Sequence, residues 1–258
     1  MNERVVLNPQ REIRVPPNLC ALGIMTKAPQ AGKVKTRLVP PLTLEEAAEL
    51  NSCFLRDLAG SISQACLESS AQGVGVYTPL GSETLYESIL PKHFFLIPQH
   101  GHNFGERLIS AAEDLFKVGF ESVCLINSDS PTVPASSFVE AANELAKASE
   151  CIVLGPSDDG GYYLIGLKRL EKGLFEEIDW STERVFDQTK QHASKIGVEV
   201  HQLPYGFDVD DRATLARLCE ELLDPAARSP SDIAPNTRKF LSEIVAREGR
   251  DRIWPETK

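Results

Sequence analysis

Short apolar segments alternate with helical patterns along most of the chain, and this alternation restricts the fold more than any other feature. In the helical patterns apolar residues recur three and four positions apart, as from Leu44 to Ile62, where Thr43 and Glu46 form a capping-box sequence. Apolar strands separated by helices form a mostly parallel sheet with helices on both faces, so we predict an α/β fold, a three-layer α/β/α sandwich. The predicted strands lie at about residues 19–25, 73–78, 94–98, 122–126, 151–154, 162–165 and 198–203.

The chain is predicted to form one domain with an addition at each end. Residues 1–18 are a polar arm that we expect to be loosely ordered. Residues 19–223 carry the alternating pattern without a linker or an internal repeat, and residues 224–258 are a helical tail of the same domain. This tail could cover the sheet or mediate a homodimer. Further helices are predicted at about residues 82–90, 104–117, 137–147, 182–195 and 237–247.

Composition argues against several classes of function. The formal net charge is −10, whereas a nucleic-acid surface needs a broad basic face. The sequence has no run of about 18 apolar residues, so we expect no membrane span. The first residues are charged and do not resemble a signal peptide. No two of the six cysteines are spaced as C-x-x-C, and no histidine lies at ligand spacing from them, so we expect buried thiols rather than a zinc site. We therefore expect a cytoplasmic protein without a nucleic-acid partner.

A basic loop follows the first predicted strand. Four cationic side chains and no acidic one lie between Lys27 and Arg37, in a chain of opposite net charge. A loop with Pro and Gly between the first strand and the first helix is where α/β proteins bind phosphate. A solvated loop that balances acidic neighbours is the alternative. The position of the loop, together with acidic clusters further along the chain, favours a nucleotide-binding loop.

Two acidic clusters follow predicted strands. Asp129 comes directly after an apolar strand, and Asp208 and Asp210 come after the last strand. Carboxylates at strand ends suit Mg²⁺, which binds one or two protein carboxylates together with substrate phosphates. Asp129 could instead be a turn residue and Asp210 a helix N-cap, and each acid alone leaves the two roles equally open. When the acids are considered together with the basic loop, a shared metal–phosphate site explains all of these residues better.

Six motifs occur in order over nearly all of residues 19–215. They are T-K-A-P-Q-A-G-K-V-K-T-R-L at 26–38, G-E-R-L at 105–108, S-D-S-P-T at 128–132, G-P-S-D-D-G-G-Y-Y-L-I-G at 155–166, W-S-T-E at 180–183 and D-V-D at 208–210. This set resembles the nucleotide-diphospho-sugar transferase superfamily, and specifically its bacterial branch of uncharacterised, glycosyltransferase-like proteins. The K-T-R-L segment is also similar to 2-phospho-lactate guanylyltransferases. The resemblance implies a GT-A, Rossmann-like fold.

The resemblance also implies roles for individual residues. Asp129 would be the principal ligand of Mg²⁺ or Mn²⁺ and Asp210 the second, while Glu106 would approach the base or the acceptor. Catalysis would involve Asp129, Asp159 and Lys35. The nucleotide phosphates would contact Lys27, Gly32, Lys33, Lys35 and Arg37. The acceptor would contact Asp158, Asp159, Gly160, Gly161, Trp180 and Ser181, although Ser181 would serve equally well as a helix N-cap.

Two transfer reactions fit such a site. In glycosyl transfer, the usual assignment of the family, a small acceptor attacks a sugar nucleotide and Asp159 or Asp158 is the base. In nucleotidyl transfer, a small molecule attacks an NTP and pyrophosphate leaves, and four cations suit a triphosphate better than a diphosphate. A non-catalytic nucleotide-binding protein is a third hypothesis, against which the intact Asp129 and Asp210 argue. We predict a metal-dependent transferase, with glycosyl transfer as the first hypothesis.

Overall fold

A central sheet of seven β-strands organises the computed structural model, which describes residues 4–11, 15–227, 230 and 232–255. The strands are β1 (Cys20–Lys27), β2 (Ala71–Thr78), β3 (Phe95–Pro98), β4 (Ser122–Ile126), β5 (Cys151–Pro156), β6 (Tyr162–Leu167) and β7 (Glu199–Gln202). Their order is β3-β2-β1-β4-β6-β5-β7, and β6 alone runs antiparallel to its neighbours in this described sheet. The mostly parallel sheet confirms the predicted α/β class.

Six α-helices accompany the sheet in the same described segments. They are α1 (Leu44–Glu68), α2 (Phe104–Lys117), α3 (Ala135–Ala146), α4 (Val185–Lys195), α5 (Arg212–Leu223) and α6 (Pro235–Glu248). One core cluster joins α1 and α3 to one face of the sheet, and a second joins α2 and α4 to the other. Alternate residues of β1 serve the two clusters, with Leu22 in the first and Ala21 in the second. The three-layer α/β/α sandwich is therefore as predicted.

Helices α5 and α6 extend this fold on the outer side of α1. A third core cluster contains Phe54 of α1, Leu218 of α5 and Leu241 of α6, all fully buried. The capping box predicted at the start of α1 is present, since Thr43 and Glu46 each bond the backbone N–H of the other. Within the described part of the chain, no helix is long and apolar enough to cross a membrane.

The N-terminal arm differs from the loosely ordered segment that its composition predicts. Leu7 is 1% exposed, and its N–H donates to the carbonyl of Leu96 in β3 at 2.7 Å. The N–H of Leu96 in turn donates to the carbonyl of Val5 at 3.0 Å. Because β3 is an edge strand, its outer backbone groups are available for such pairing. Residues 1–3 and 12–14 of the arm lie outside the described residues.

Two predicted helices are shorter than expected. The pattern at residues 82–90 gives only a 3₁₀ turn at Glu83–Tyr86, followed by turns that lead to Pro91. A residue before proline is disfavoured in helical geometry, which limits this segment. The helix predicted from Thr182 begins at Val185, because Ser181 has a left-handed backbone with φ 64° and the hydroxyl of Thr182 bonds the carbonyl of Asp179.

Candidate active site

The ammonium group of Lys35 lies between the two carboxylates that the sequence singles out. Its Nζ is 2.6 Å from Oδ1 of Asp129 and 3.1 Å from Oδ1 of Asp210, and it donates to the carbonyl of Val209 at 2.7 Å. These three contacts match the three N–H bonds of a lysine ammonium. The side chain of Lys35 is only 6% exposed. The structure thus brings the basic loop and both acidic clusters together in one ion-pair group.

Local backbone structure positions this group. Asp129 follows β4, and its carbonyl accepts the N–H of Val209 at 2.9 Å, which ties the two acidic segments together. Asp211, not Asp210, is the N-cap of α5, so the carboxylate of Asp210 remains available to Lys35. Lys35 itself has a left-handed backbone conformation with φ 48°.

Lys35 stays charged at this position. Burial lowers the pKa of its ammonium, but the adjacent charges of Asp129 and Asp210 outweigh burial and raise the pKa above its ordinary value. The two acids therefore face a permanent cation at neutral pH.

The same carboxylates fit a divalent metal ion. Their Oδ1 atoms converge on one point, and the ammonium of Lys35 occupies it as a cation would. Among the described residues, no group of three or more His, Cys, Asp and Glu side chains could hold a metal. Two carboxylates nevertheless suffice for Mg²⁺ or Mn²⁺ when substrate phosphate and water complete the coordination, as Mg²⁺ commonly requires.

A pocket of about 340 Å³, here called the basic pocket, opens on one side of the carboxylates. Lys27, Lys33 and Arg37 line it and are exposed. Gly32 forms the turn before Lys33, with φ 72°, which favours glycine. The pocket thus presents flexible cations beside two carboxylates, an arrangement that suits phosphate groups.

Asn51 of α1 also lines the basic pocket, and sequence reasoning missed it. The residue is 3% exposed, yet its Oδ1 has no hydrogen-bond partner among the described residues. An unpartnered buried amide is costly, which suggests that a ligand completes it. No sequence signal distinguishes it, because a polar residue in an amphipathic helix ordinarily faces solvent.

A second cavity of about 500 Å³, here called the aromatic cavity, opens on the other side of the carboxylates. Phe104 and Trp180 form an edge-to-face pair in its wall with ring centroids 5.1 Å apart. Arg37, Ser128, Asp129 and Asp210 line both spaces. The two spaces therefore meet at the carboxylates.

The turn between β5 and β6 brings Asp159 to the aromatic cavity. Its Oδ1 accepts the N–H of Gly161 at 2.9 Å. Gly160 has φ 84°, and a Cβ there would lie 2.1 Å from the carbonyl oxygen of Glu183. Only glycine therefore permits this turn to pack against the segment before α4.

Two predicted acidic site residues lie outside both spaces, and Ser181 lines one of them. Asp158 lines neither space and pairs with Arg217 of α5 at 2.7 Å. Glu106 also lines neither, because its carboxylate accepts the N–H of His102 at 2.7 Å and the amide of Asn103 at 2.9 Å at the start of α2. Ser181 lines the aromatic cavity together with Trp180, and it is not an N-cap.

Asp208 holds the strand ends around the site together. Its Oδ1 accepts hydrogen bonds from Asn127 at 2.8 Å, Ser130 at 2.5 Å and Ser157 at 3.1 Å. Burial raises the pKa of Asp208 to about 6, although the hydrogen bond from Ser130 by itself lowers this pKa. The D-V-D motif thus combines an anchoring acid with the acid that pairs with Lys35.

Similarity to known structures identifies the family. A protein from Desulfovibrio desulfuricans G20, provisionally named a nucleotide-diphospho-sugar transferase, is 30% identical with a TM-score of 0.76. The similarity covers 91% of this chain and 99% of that one. The chain belongs to the nucleotide-diphospho-sugar transferase superfamily. This transferase also matches, over residues 62–182, a family described as "Uncharacterized protein conserved in bacteria (DUF2064)". The predicted resemblance and the enzyme class are thereby confirmed.

More distant structures share less with this transferase. Rv0371c from Mycobacterium tuberculosis H37Rv is 16% identical with a TM-score of 0.47, over 80% of this chain and 100% of that one. A cytidylyltransferase from Leptospira borgpetersenii serovar Hardjo-bovis is 9% identical with a TM-score of 0.47, over 94% and 99% of the two chains. Similarity this weak carries no argument about activity. No curated protein is detectably similar to the transferase in sequence.

Proposed function

We propose that this transferase moves a glycosyl group from a sugar nucleotide to a small acceptor with the help of Mg²⁺ or Mn²⁺. The proposal is supported by two spaces that meet at Asp129 and Asp210, one lined by basic side chains and one with an aromatic wall. The donor's diphosphate would lie in the basic pocket, and the acceptor would lie in the aromatic cavity. Transfer would then occur at the boundary between them.

The position of Lys35 is the observation that favours glycosyl transfer over nucleotidyl transfer. Four cations in the loop would suit a triphosphate, but the ammonium of Lys35 is committed to Asp129 and Asp210. Of the loop's four cations, Lys27, Lys33 and Arg37 remain without an ion pair among the described residues. Together with a divalent ion, they match the lower charge of a diphosphate better.

The proposed chemistry assigns a role to each side of the boundary. An acceptor hydroxyl attacks C1 of the sugar, the new glycosidic bond forms, and the bond from C1 to the diphosphate breaks. Asp159 lines the acceptor side and takes the hydroxyl proton, as a carboxylate base can in such a reaction. Asp129 and Asp210 would hold the divalent ion, which would supply positive charge beside the departing diphosphate. Arg37, at the boundary, stabilises the same charge.

A ligand panel tests the donor. Each of the four NTPs and of UDP-, GDP- and ADP-sugars is added with and without Mg²⁺ or Mn²⁺, and the unfolding midpoint is measured. A ligand that binds the folded state raises the midpoint. Metal-dependent stabilisation by one sugar nucleotide, followed by release of its nucleoside diphosphate with an acceptor, is the expected result. Stabilisation by an NTP alone, with pyrophosphate release, would identify nucleotidyl transfer instead.

The Asp129→Asn variant tests whether the carboxylate of Asp129 is needed as a metal ligand. We expect turnover to fall more than about 100-fold, since removing even an outer partner of a metal ligand costs 10- to 100-fold. Asp158→Asn makes the same chemical change in the neighbouring turn, and we expect it to keep most activity because Asp158 contacts Arg217 and lines neither space. Circular dichroism checks that both variants are folded. Undiminished metal-dependent turnover in Asp129→Asn would contradict the assignment.

A further inference from the structure

We propose that the aromatic cavity admits an uncharged, hydroxyl-bearing acceptor with an apolar face, such as a saccharide unit, and excludes phosphorylated or carboxylated molecules. This inference rests on the proposed function, because it takes the cavity to be the acceptor side of the same site. It is carried by the charge, the aromatic wall and the size of the cavity.

The charge lining the cavity is predominantly negative. Asp159 and Glu183 line it and have no salt-bridge partner among the described residues. Asp129 and Asp210 share the one ammonium of Lys35. Arg37, at the boundary with the basic pocket, is the single cationic residue in the described lining. An anionic acceptor would therefore meet like charge, which an interface uses to reject wrong partners.

The carboxylates also select for hydrogen-bond donors. An ionised carboxylate accepts hydrogen bonds and donates none, so Asp159 and Glu183 complement O–H groups rather than anionic oxygens. One oxygen of Asp159 is used by the N–H of Gly161, and the carboxylate has capacity for further donors. A polyhydroxylated molecule supplies such donors without introducing charge.

The aromatic wall supplies an apolar surface of fixed orientation. Phe104 is 49% exposed and packs edge-to-face with Trp180. Trp180 lies directly on the backbone of α2, since a Cβ at Gly105 would be 2.8 Å from its Nε1. Held in this way, the indole offers a stable surface for the C–H face of a ring. Charged small molecules without such a face would gain little from it.

The size of the cavity fits a small acceptor. Its volume of about 500 Å³ is in the range of pockets that hold small molecules. Leu108 and Leu125, which are almost fully buried, also line it, so the apolar part of the lining extends beyond the aromatic wall. A lining that combines apolar side chains with carboxylates again favours a ring with hydroxyl substituents.

Trp180 provides a direct probe of this selectivity. The chain has two tryptophans, and Trp254 lies outside the cavity, where its ring stacks with Arg250 at 4.1 Å. Trp254→Phe therefore leaves Trp180 as the only indole. In this variant we measure fluorescence quenching by iodide, acrylamide and caesium, which are anionic, neutral and cationic. We expect iodide to quench at least about threefold less effectively than acrylamide.

A charge-removal variant separates electrostatics from steric access. Asp159→Asn with Glu183→Gln, in the Trp254→Phe background, should raise iodide quenching at least about threefold and leave acrylamide quenching unchanged. Glu68→Gln with Glu199→Gln removes the same charge from residues that line neither space and should leave both values unchanged. Equal quenching by iodide and acrylamide before charge removal would overturn the inference.

Paired ligands test the acceptor class itself. With nucleoside diphosphate and Mn²⁺ present, methyl and phenyl glycosides of glucose, galactose and mannose are titrated into Trp254→Phe, as are glucose 6-phosphate and glucuronate. A saturable change in Trp180 emission with a neutral glycoside, and none with the two anions, is expected. Binding of an anion as tightly as the matched neutral sugar, or no response to any neutral glycoside, would overturn the inference.

These outcomes are distinct from those of the donor panel. Stabilisation by a sugar nucleotide together with tight binding of glucose 6-phosphate would overturn the acceptor inference and leave glycosyl transfer standing. Stabilisation by an NTP alone together with selective binding of neutral glycosides would overturn glycosyl transfer and leave the acceptor inference standing.

Discussion

Lys35 and a divalent cation require the same two carboxylates. In the structure all three N–H bonds of the ammonium are directed at Asp129, Asp210 and the carbonyl of Val209. A metal ion at these acids would share the two carboxylates with the ammonium and would be repelled by its positive charge. Such competition would keep the affinity for free metal low, and the negative charge of a nucleotide in the basic pocket would offset the repulsion.

Lys35→Met tests this competition. We expect Mn²⁺ to bind the nucleotide-free variant at least about tenfold more tightly, since both acids lose their internal cation. Isothermal titration with Mn²⁺ measures the effect without any turnover. Lys33→Met is the matched control, because Lys33 lies in the same loop, is exposed and contacts neither acid. Equal Mn²⁺ affinity in wild type and Lys35→Met would disprove the competition.

Asn51 is expected to bind the nucleotide. Its buried Oδ1 has no partner among the described residues and the side chain lines the basic pocket. Asn51→Leu should therefore weaken nucleotide affinity by about tenfold without lowering the unfolding midpoint, since an unsatisfied polar group is removed. The control is Ser52→Ala, the next residue of α1, whose hydroxyl bonds within the helix to Ala48. Unchanged nucleotide affinity in Asn51→Leu would leave the amide without a ligand role.

At the scale of elements, the first turn of α1 connects to the end of the chain. Glu46 accepts the N–H of Thr43 at 2.9 Å and hydrogen bonds from Arg247 at 2.7 Å and Arg252 at 3.0 Å. Partial burial raises the pKa of Glu46, but the bonds from Arg252 and Thr43 outweigh it and lower the pKa below its ordinary value of 4.5. One carboxylate thus caps α1 and retains the segment after α6.

Glu46→Gln should change how stability depends on pH. A carboxylate with a lowered pKa in the folded state stabilises that state above the ordinary pKa of 4.5, and this stability is lost as the pH falls through the folded-state pKa. The variant should be less stable than wild type by about 1–3 kcal/mol at pH 7, and the difference should shrink below about pH 4. Denaturant unfolding across this range measures it. Glu45→Gln, at the exposed neighbouring position, should leave stability unchanged.

At the scale of the whole molecule, α1 belongs both to the main core and to the cluster that holds the tail. Asp57 of α1, which is 4% exposed, accepts the N–H of Asn236 at 2.9 Å, its side-chain amide at 2.8 Å, and the N–H of Thr237 at 2.9 Å. A carboxylate at a helix N-terminus compensates the orphan N–H groups and the helix dipole. It thereby joins α6 to the domain across about 180 residues of sequence.

Asp57→Ala should destabilise the whole domain rather than release the tail alone. It leaves buried N–H groups at the start of α6 without a partner, and we expect a loss of about 2–4 kcal/mol in a single cooperative transition. Glu49→Ala, which removes a half-exposed ion pair with Arg56 on the same helix, should cost about 1 kcal/mol or less. Separate unfolding transitions for the tail and the sheet would show that α6 is not part of the same cooperative unit.

Much of the fold was predictable from the chain because it depends on local pattern. Strands buried on both faces must be apolar, and helices between them must be amphipathic, so their places follow from the periodicity. The capping box at Thr43 and the helix at 104–117 are local in the same sense. The antiparallel direction of β6 was not predictable, because the apolar pattern of a buried strand is the same in either direction.

The sequence by itself determined the sheet, its flanking helices and the acids that follow its strands. Only the tertiary structure decided which charges meet. Lys35 bonds Asp210 across 175 positions, Asp158 pairs with Arg217, and Glu106 accepts the N–H of His102 just before its own helix. The family resemblance implied contacts of Lys35 with phosphate, of Asp158 with the acceptor and of Glu106 with the base or the acceptor, but it did not indicate these partners within the chain. A side chain's partner depends on distances between segments that are remote in sequence, and these distances exist only once the layers have packed.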